Sequence, residues 1–416
     1  MTERLYYQNS FLYDFVAALM ETRTLTDGRT ALVLDRTAFY PASGGQTFDT
    51  GWIELEPLEG ERGQFLPKLR VAEVAESEDG EILHVLESAE GLSDAPTRVR
   101  GFIDVDSRRD HMQQHSGQHV LSAAFVELFQ MPTVSFHMGE ETCTIDLGTK
   151  SLAAEQARQA ELQANQVIWD DRPVKMHLAT EEEARAMGVR KIPVANHEKL
   201  RLIDIEGFDL CACGGTHVKS TGQIGAILIR KVEKVKQGFR VEFVCGARAV
   251  QHARKDYETL TDAGSLFSTH VWDVPAQIRK TIDDNKIAAK YAHKLNEEIA
   301  ELRAGKVLAE TPETDGRKMV ALVMTDRDAG FVKLLAQKLV AAEQNVVALL
   351  GAGAGQPTLV FAQTPGARFD MGALMKQVMN ALGGRGGGNR DMAQGGAPDA
   401  SRLAEAIELA KNSCSR

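Results

Sequence analysis

The sequence lacks a long apolar run, a secretory leader and an even set of cysteines. No apolar run approaches the ~20 residues that a membrane helix needs, so we expect no membrane span. The N-terminus has no basic start followed by an apolar core, and we therefore expect no signal peptide. The five cysteines are odd in number and lack the spacing of small secreted proteins. These absences together predict a cytoplasmic protein.

The chain also has no excess of positive charge, since 48 Lys and Arg residues stand against 58 Asp and Glu, which gives a formal net charge of −10 at pH 7. This balance argues mildly against nucleic-acid binding, but the distribution of charge matters more than its total. Basic residues do cluster in one segment, as Arg230, Lys231, Lys234, Lys236, Arg240 and Arg248. The cluster is as consistent with a solvated strand edge as with a phosphate-binding surface.

The length of 416 residues and the 43% of hydrophobic residues predict two to four globular domains of the α+β class. Short strands between turns predict a small β-barrel in residues 1–95. Residues 96–247 mix strands with two amphipathic helices, which predicts an α+β domain that holds the chemistry described below.

The remaining chain predicts a helical connector over 248–310 and a small α/β domain over 311–416. We expect the connector to break near Gly264 and Pro275, and the polar stretch around 310–317 to be a linker. A seam of apolar residues in the connector, spaced for pairing with another helix, permits either an intramolecular hairpin or a homodimer. The seam residues are Ala292, Leu295, Ile299 and Leu302.

Two short strings carry the donor types of a tetrahedral zinc site. In the first, His115-Ser-Gly-Gln-His119, two histidines four residues apart share one face of a helix predicted over about 107–129. The second, Cys213-Gly-Gly-Thr-His217, adds a thiolate and a third imidazole, with glycines that allow a tight turn. We predict that these four side chains bind one Zn²⁺ ion.

The two strings lie far apart in the chain, so the ligands must converge through a folded domain. That arrangement favours a catalytic or substrate-positioning metal over a purely structural one. Each string alone is a weaker signal, since either occurs by chance on a helix or in a core. Cys211 is the alternative thiolate, and His111 and His137 are further imidazoles expected nearby.

A glycine-rich stretch, Gly383–Gly396, follows a predicted helix. It is not a Walker loop, since no Gly-Lys-Ser/Thr follows, and it does not follow a first strand as a Rossmann fingerprint does. Glycine amides can approach and bind phosphates. We predict a loop that binds nucleic acid through Arg385, Gly386, Gly387 and Arg390, rather than a flexible linker.

These features resemble one known family. The H-x3-H helix, the later Cys-Gly-Gly-Thr-His turn and the earlier segment Thr37–Gly51 are similar to those of the editing domain of alanyl-tRNA synthetase and of its free-standing AlaX-type relatives. The Gly383–Gly396 stretch resembles the C-terminal C-Ala domain of the same synthetases. The four motifs occur in the family's order across almost the whole chain, which resembles the long form of AlaX.

The resemblance implies a zinc-dependent aminoacyl-tRNA deacylase that acts in trans on tRNA for alanine carrying serine or, in some cases, glycine. It also suggests that Thr37 and Gln46 recognise the substrate hydroxyl, so that alanine would leave polar groups unpaired and be rejected. A full synthetase carries several hundred residues before this region for amino-acid activation. We therefore expect no ATP-dependent activation chemistry.

Two other functions stay open at this point. A non-catalytic tRNA- or RNA-binding protein with a structural zinc would explain the metal motif and the basic cluster, but not the Thr37–Gly51 segment. A zinc hydrolase of small esters or peptides would be expected to carry H-E-x-x-H, yet position 116 is serine. Two roles of the ion are compatible with four protein ligands. In the first, one protein ligand is replaced by water or substrate; in the second, the ion keeps all four ligands and only orients the pocket.

Overall fold

The computed structural model describes residues 2–56, 68–90, 92, 98–190 and 199–415. The chain divides into two units, Met1–Asp262 and Ala263–Arg416. Both units mix helices and strands, which confirms the predicted α+β class. Among the described residues, no helix combines the length and the apolarity needed to cross a bilayer.

A closed six-stranded barrel opens the first unit, in the order β2-β3-β7-β6-β5-β8. The strands in chain order are β1 (Glu3–Arg4), β2 (Asp14–Thr24), β3 (Thr30–Leu34), β4 (Arg36–Thr37), β5 (Gly51–Leu55), β6 (Lys68–Glu76), β7 (Ile82–Leu86) and β8 (Arg98–Ile103). Inward-facing apolar residues fill the barrel. Two of its strands were not predicted as part of it. In β2, a register shift between Leu19 and Glu21 interrupts the alternation of side chains between the two faces of the strand. The strand β8 begins at Arg98, beyond the barrel predicted for residues 1–95.

Helices and two smaller sheets complete the first unit. The helices are α1 (Val105–Phe129), α2 (Ala154–Trp169) and α3 (Glu181–Ala186). The strands are β9 (Thr133–Met138), β10 (Cys143–Leu147), β11 (Val174–Ala179), β12 (Leu200–Ile205), β13 (Asp209–Ala212), β14 (Ile227–Val235) and β15 (Gly238–Cys245). They form the sheets β14-β15-β10-β9 and β11-β12-β13. The apolar faces of α1 and α2 pack on the four-stranded sheet in one core.

A buried ion pair connects the barrel to the start of α1. The Arg108 guanidinium Nε lies 3.0 and 3.1 Å from the two carboxylate oxygens of Asp49. The same side chain donates to the carbonyl oxygens of Ser10 and Ala38, at 2.7 and 2.6 Å. Both Arg108 and Asp49 are fully enclosed, so α1 is anchored to the segment between β4 and β5 by charge-assisted hydrogen bonds.

Two long helices follow, α4 (Gly246–Leu266) and α5 (Val274–Glu310). The predicted break is present, but Gly264 lies inside α4 and Pro275 lies in the first turn of α5. Proline fits there because the first-turn amides have no partner within a helix. The seam residues Leu295, Ile299 and Leu302 are exposed along α5.

The second unit has a six-stranded sheet in the order β16-β17-β18-β19-β21-β20. Its remaining elements are β16 (Glu313–Thr314), β17 (Arg317–Met324), α6 (Ala329–Ala342), β18 (Val346–Ala352), β19 (Thr358–Gln363), α7 (Met371–Leu382), β20 (Arg385–Gly388), β21 (Met392–Gly396) and α8 (Leu403–Cys414). Alternate residues of β18 face α5 and α6 on one side, and α7 and α8 on the other. The stretch predicted as a linker around 310–317 instead contains the β16–β17 hairpin.

The glycine-rich stretch at the C-terminal end is a β-hairpin, β20–β21, and not the predicted loop. A Cβ atom on Gly386 would lie 2.9 Å from the Cγ atoms of Met375 and Met379 in α7. The missing side chain therefore lets the hairpin lie flat against that helix. Because the glycines of this hairpin have no side chains, its strands show no alternation of apolar and polar residues, and the sequence pattern did not predict them.

Candidate metal centre

Four side chains from two distant segments converge beside the middle of α1. His115 and His119 lie one turn apart, and their rings stack with centroids 5.3 Å apart. Cys213 and His217 come from the segment that follows β13. One donor atom from each of the four lies within 4.8 Å of all the others. The structure thus brings together the four predicted ligands.

The spacing of the donors suits a zinc ion. The Cys213 sulfur lies 3.3 Å from Nε2 of His115 and 3.3 Å from Nε2 of His217. A tetrahedral zinc with bonds of ~2.0–2.3 Å has donor–donor edges of about 3.3–3.7 Å. Two imidazole nitrogens and a sulfur are therefore already placed at the corners of such a site, with His119 as the fourth donor.

Neighbouring polar groups orient each imidazole. Nδ1 of His115 donates to Oε1 of Gln46 at 2.7 Å, which leaves Nε2 free to face the cluster. Nδ1 of His217 lies 3.2 Å from the Ser116 hydroxyl, which fixes that ring in the same way. Hydrogen bonds of this kind select the tautomer of metal-binding histidines.

Gln46 contacts one of the candidate ligands, and its role in substrate recognition stays a prediction. Besides His115, its carbonyl accepts the backbone N–H of Thr216 at 3.1 Å, and its amide nitrogen donates to the Thr216 hydroxyl at 2.9 Å. Only 2% of the residue is exposed, so little of its amide can reach a bound molecule.

His119 has a different environment, with Cys211 and Asp209 beside its Nδ1. The Cys211 sulfur lies 3.0 Å and the Asp209 carboxylate 3.4 Å from that nitrogen. Arg190 forms an ion pair with the same carboxylate at 2.8 Å. His119, Asp209 and Cys211 form a second group with metal-binding donors, but it has three members against the four around Cys213.

The electrostatics of the cluster favour a thiolate. Burial would raise the pKa of Cys213, but the imidazoles of His115, His217 and His119 hold it well below its usual range. Burial also lowers the pKa of His217 to about 3, against the attraction of the Cys213 sulfur. For His119, burial lowers the pKa, but the sulfurs of Cys211 and Cys213 outweigh it and raise the pKa well above its usual value. A thiolate beside three imidazoles is a donor set that can bind Zn²⁺.

Gly215 has a steric reason for its place in the Cys-Gly-Gly-Thr-His string. A Cβ atom there would lie 2.2 Å from Cε1 and 2.4 Å from Nδ1 of His115. Neither Gly214 nor Gly215 has a positive φ angle, and the backbone bends at Gly215. Close approach of the backbone to a ligand ring explains Gly215.

A cavity of about 380 Å³ opens on the donor cluster. It is lined by His115, Gln118 and His119 of α1, residues 133–136 of β9, residues 211–213, Gly44 and Arg190. Three of the four candidate ligands thus face the cavity. His217 is not among the lining residues, and neither is Gln46 or Thr37.

Thr37 lies in the barrel core and makes its hydrogen bonds there. Nδ1 of His84 lies 2.9 Å from the carbonyl oxygen of Leu32 and must donate to it, so Nε2 accepts from the Thr37 hydroxyl at 2.7 Å. The same hydroxyl oxygen accepts the backbone N–H of Phe39 at 3.1 Å. The hydroxyl proton of Thr37 is therefore committed to His84. The role of Thr37 in substrate recognition stays a prediction.

The pH dependence of stability tests this buried histidine. Burial lowers the pKa of His84 from 6.5 to about 4, and the bond to Leu32 offsets only part of that effect. Folding therefore favours the neutral ring. Its contribution is complete above pH 6.5 and is lost as the pH falls towards 4, by about 3 kcal/mol. We expect His84→Gln to flatten the unfolding free energy over that pH range in urea titrations, while His137→Gln, at an exposed position, keeps the original slope. Parallel curves for His84→Gln and the unchanged protein would contradict this reading.

The predicted nucleic-acid contacts differ in their exposure. Arg385 and Arg390 are exposed, at the start of β20 and in the turn before β21. Gly386 and Gly387 are half-buried in β20. In the basic cluster, Arg230, Lys231, Arg240 and Arg248 form ion pairs, with Asp256, Glu233, Asp146 and Asp110 respectively. For Lys234 and Lys236, no ion pair is present in the described part of the chain.

Several residues of the site could not be identified from the sequence. Ser116 and Gln118 lie inside the first string but carry no family signal of their own. Asp209 and Arg190 reach His119 only through the fold. The β13 strand that leads to Cys213 is four residues long, too short for an alternating pattern to stand out.

Known families match three parts of the chain. The family described as the Threonyl and Alanyl tRNA synthetase second additional domain matches residues 200–241. Class II (A) tRNA synthetases match residues 2–107, and the DHHA1 domain matches residues 315–416. These matches cover the Cys213 string together with the strands on both sides of it, the barrel, and the second unit from residue 315 onward.

Full-length relatives cover nearly the whole chain. The alanyl-tRNA editing protein AlaX-L of Pyrococcus horikoshii is 30% identical over 95% of this chain and 94% of its own length. Alanine–tRNA ligases of Natronomonas pharaonis and Archaeoglobus fulgidus are each 32% identical, over 98% and 95% of this chain. The chain spans less than half of those two ligases, 43% and 42% of their length.

Proposed function

Because the chain belongs to the AlaX family of alanyl-tRNA editing proteins, we propose that it hydrolyses the ester of serine, and of glycine, on tRNA for alanine. The proposed centre is one Zn²⁺ ion bound by His115, His119, Cys213 and His217. The observation that carries the proposal is that three of these four donors line a cavity, so a bound ester lies against the cluster. The proposed location is the cytoplasm, since all five cysteines are free thiols.

The chain's own residues supply positioning. When bound, Zn²⁺ would polarise the ester carbonyl or lower the pKa of water to about 7. Gln46 and Ser116 hold the rings of His115 and His217 in the orientation that aims Nε2 at the cluster. A cavity of about 380 Å³ admits an aminoacyl group and a part of the terminal adenosine.

The test of this function is the fate of the ester. We expect the zinc-loaded protein to release serine from Ser-tRNA for alanine faster than buffer does, measured as the charged fraction over time. Binding of Ser-tRNA with the ester left intact would instead support the RNA-binding alternative. Loss of small esters but not of Ser-tRNA would support a general zinc hydrolase.

We also propose which basic residues of the first unit contact tRNA. Lys234 and Lys236 are exposed and unpaired among the described residues, and Lys150 shares a depression with them. Gly238 lets the backbone beside these lysines approach Leu147 closely, since a Cβ atom on Gly238 would lie 1.9 Å from the carbonyl oxygen of Leu147. Gly148, in the same depression, donates its backbone N–H to the carbonyl oxygen of Pro132. The residues that follow Pro132, 133–136 of β9, line the cavity at the donor cluster. The depression therefore lies beside the cavity, where phosphates near the esterified end of tRNA would pass.

The second unit is proposed to provide another tRNA contact, through Arg385 and Arg390. We expect the double variant Arg385→Ala/Arg390→Ala to bind tRNA about three- to tenfold more weakly. The slope of log affinity against log salt should become shallower by about 0.7–0.9 for each phosphate that the variant no longer binds. Filter-binding titrations at several salt concentrations measure both quantities. Arg402→Ala is the matched control, because Arg402 is already paired with Glu405.

Equal affinity and equal salt slope in the double variant would point to a different role for the second unit. The exposed apolar seam of α5 then becomes the proposed contact of a homodimer. Sedimentation of the full chain, compared with a Leu295→Glu variant, distinguishes a dimer held by this seam from a monomer.

A further inference from the structure

Gln118 is a buried polar residue in the wall of the cavity, and the mechanism above gives it no role. It lies on α1 directly before His119, and 8% of it is exposed. It lines the cavity together with His115, His119 and Cys213. A buried amide in such a position needs hydrogen-bond partners, because an unpaired polar group costs ~1–3 kcal/mol.

One half of the Gln118 amide is already engaged. Its Nε2 donates to the Ser122 hydroxyl oxygen at 2.8 Å, and the Thr133 hydroxyl donates to the same oxygen at 2.7 Å. This small network holds the amide plane in place. Within the described ranges, Oε1 of Gln118 accepts no hydrogen bond, so the cavity wall offers one fixed acceptor beside the donor cluster.

We propose that Gln118 recognises the hydroxyl of a seryl ester and is a specificity-determining residue of the site. The inference rests on the proposed function, which places the aminoacyl group in this cavity. A seryl hydroxyl would donate to the unused oxygen, whereas an alanyl methyl group would leave that oxygen desolvated and unpaired. The two groups expected from the sequence are committed elsewhere, since Thr37 bonds to His84 and Gln46 bonds to His115.

Glycine gives the proposal an internal control, because a glycyl ester carries no hydroxyl and cannot depend on this contact. In Gln118→Met, which keeps the length of the side chain, kcat/KM for Ser-tRNA should fall about 10- to 100-fold. The values for Gly-tRNA and Ala-tRNA, and the zinc content, should stay within about twofold of the unchanged protein. Gln113→Met is the matched control, since Gln113 lies elsewhere on α1 and bonds to the backbone of Gln223.

An equal loss for all three aminoacyl-tRNAs, or no loss for serine, would overturn the assignment. A binding experiment separates its failure from that of the proposed function. Calorimetric titration with the seryl, glycyl and alanyl amides of 3′-aminoadenosine measures recognition without hydrolysis. We expect the seryl amide to bind tightest, and this preference to vanish in Gln118→Met. Absence of hydrolysis by the unchanged protein would defeat the proposed function alone, whereas absence of a seryl preference would defeat the role of Gln118.

Discussion

Replacing Cys213 with alanine is expected to remove most of the bound zinc and to lower the deacylation of Ser-tRNA about a thousandfold. The sulfur lies 3.3 Å from the Nε2 atoms of His115 and His217, and it is the charged member of the donor set. Its removal leaves three imidazoles without the thiolate that balances a divalent cation. The rate effect corresponds to several kcal/mol of transition-state stabilisation. Metal analysis of the purified variant measures the first effect, and single-turnover deacylation measures the second.

Cys211→Ala provides the matched control, because the two thiols lie two residues apart. The Cys211 sulfur contacts Nδ1 of His119 and is not one of the four predicted zinc ligands. We expect this variant to keep about one zinc per chain, while His119→Ala should lose it as Cys213→Ala does. If Cys213→Ala kept all of its zinc and Cys211→Ala lost it, the metal would instead be bound by the group of His119, Asp209 and Cys211.

The second large effect is expected on stability, at the ion pair between Arg108 and Asp49. Both side chains are fully enclosed, and burial alone would raise the pKa of Asp49, yet the Arg108 guanidinium keeps it below its usual value. Asp49→Asn removes the negative charge and leaves a buried cation without its counter-ion. We expect the free energy of unfolding to fall by about 3–5 kcal/mol. Urea unfolding at pH 7 measures this difference.

An exposed ion pair of the same barrel serves as the comparison. Arg100 and Asp14 pair at 2.7 Å, with about half of each side chain exposed. Asp14→Asn should change the stability by less than about 1 kcal/mol, because solvent screens the pair. Similar losses of stability in the two variants would mean that the Arg108–Asp49 pair does not anchor α1 to the barrel.

Local patterns predicted those elements that have a periodic side-chain signal. Helix α1 follows from the 3.6-residue period of its apolar residues, and that period also places His115 and His119 on one face. The strands β3, β5, β6 and β7 follow from short apolar runs between turns. The Cys213 string could be found because its residue types and spacing are rare, although the strand before it was missed.

What the sequence could not show depends on contacts between distant residues. Gln46 and His115 are 69 residues apart, and only the fold reveals that the amide orients the imidazole instead of facing the cavity. The pairing of Arg108 with Asp49 and of Thr37 with His84 is of the same kind. The β20–β21 hairpin was hidden for a different reason, because its glycines carry no side-chain pattern, and the close approach of Gly386 and Gly395 to α7 is visible only in the fold.

The proposed function is removal of the wrong amino acid from tRNA for alanine, with the right one spared. The most direct test is to measure first-order deacylation rates for Ser-tRNA and Ala-tRNA with the same zinc-loaded preparation. The account predicts rapid loss of the seryl ester, with the alanyl ester hydrolysed at least about a hundredfold more slowly. Equal rates for the two esters, or a seryl ester as long-lived as in buffer, would contradict it.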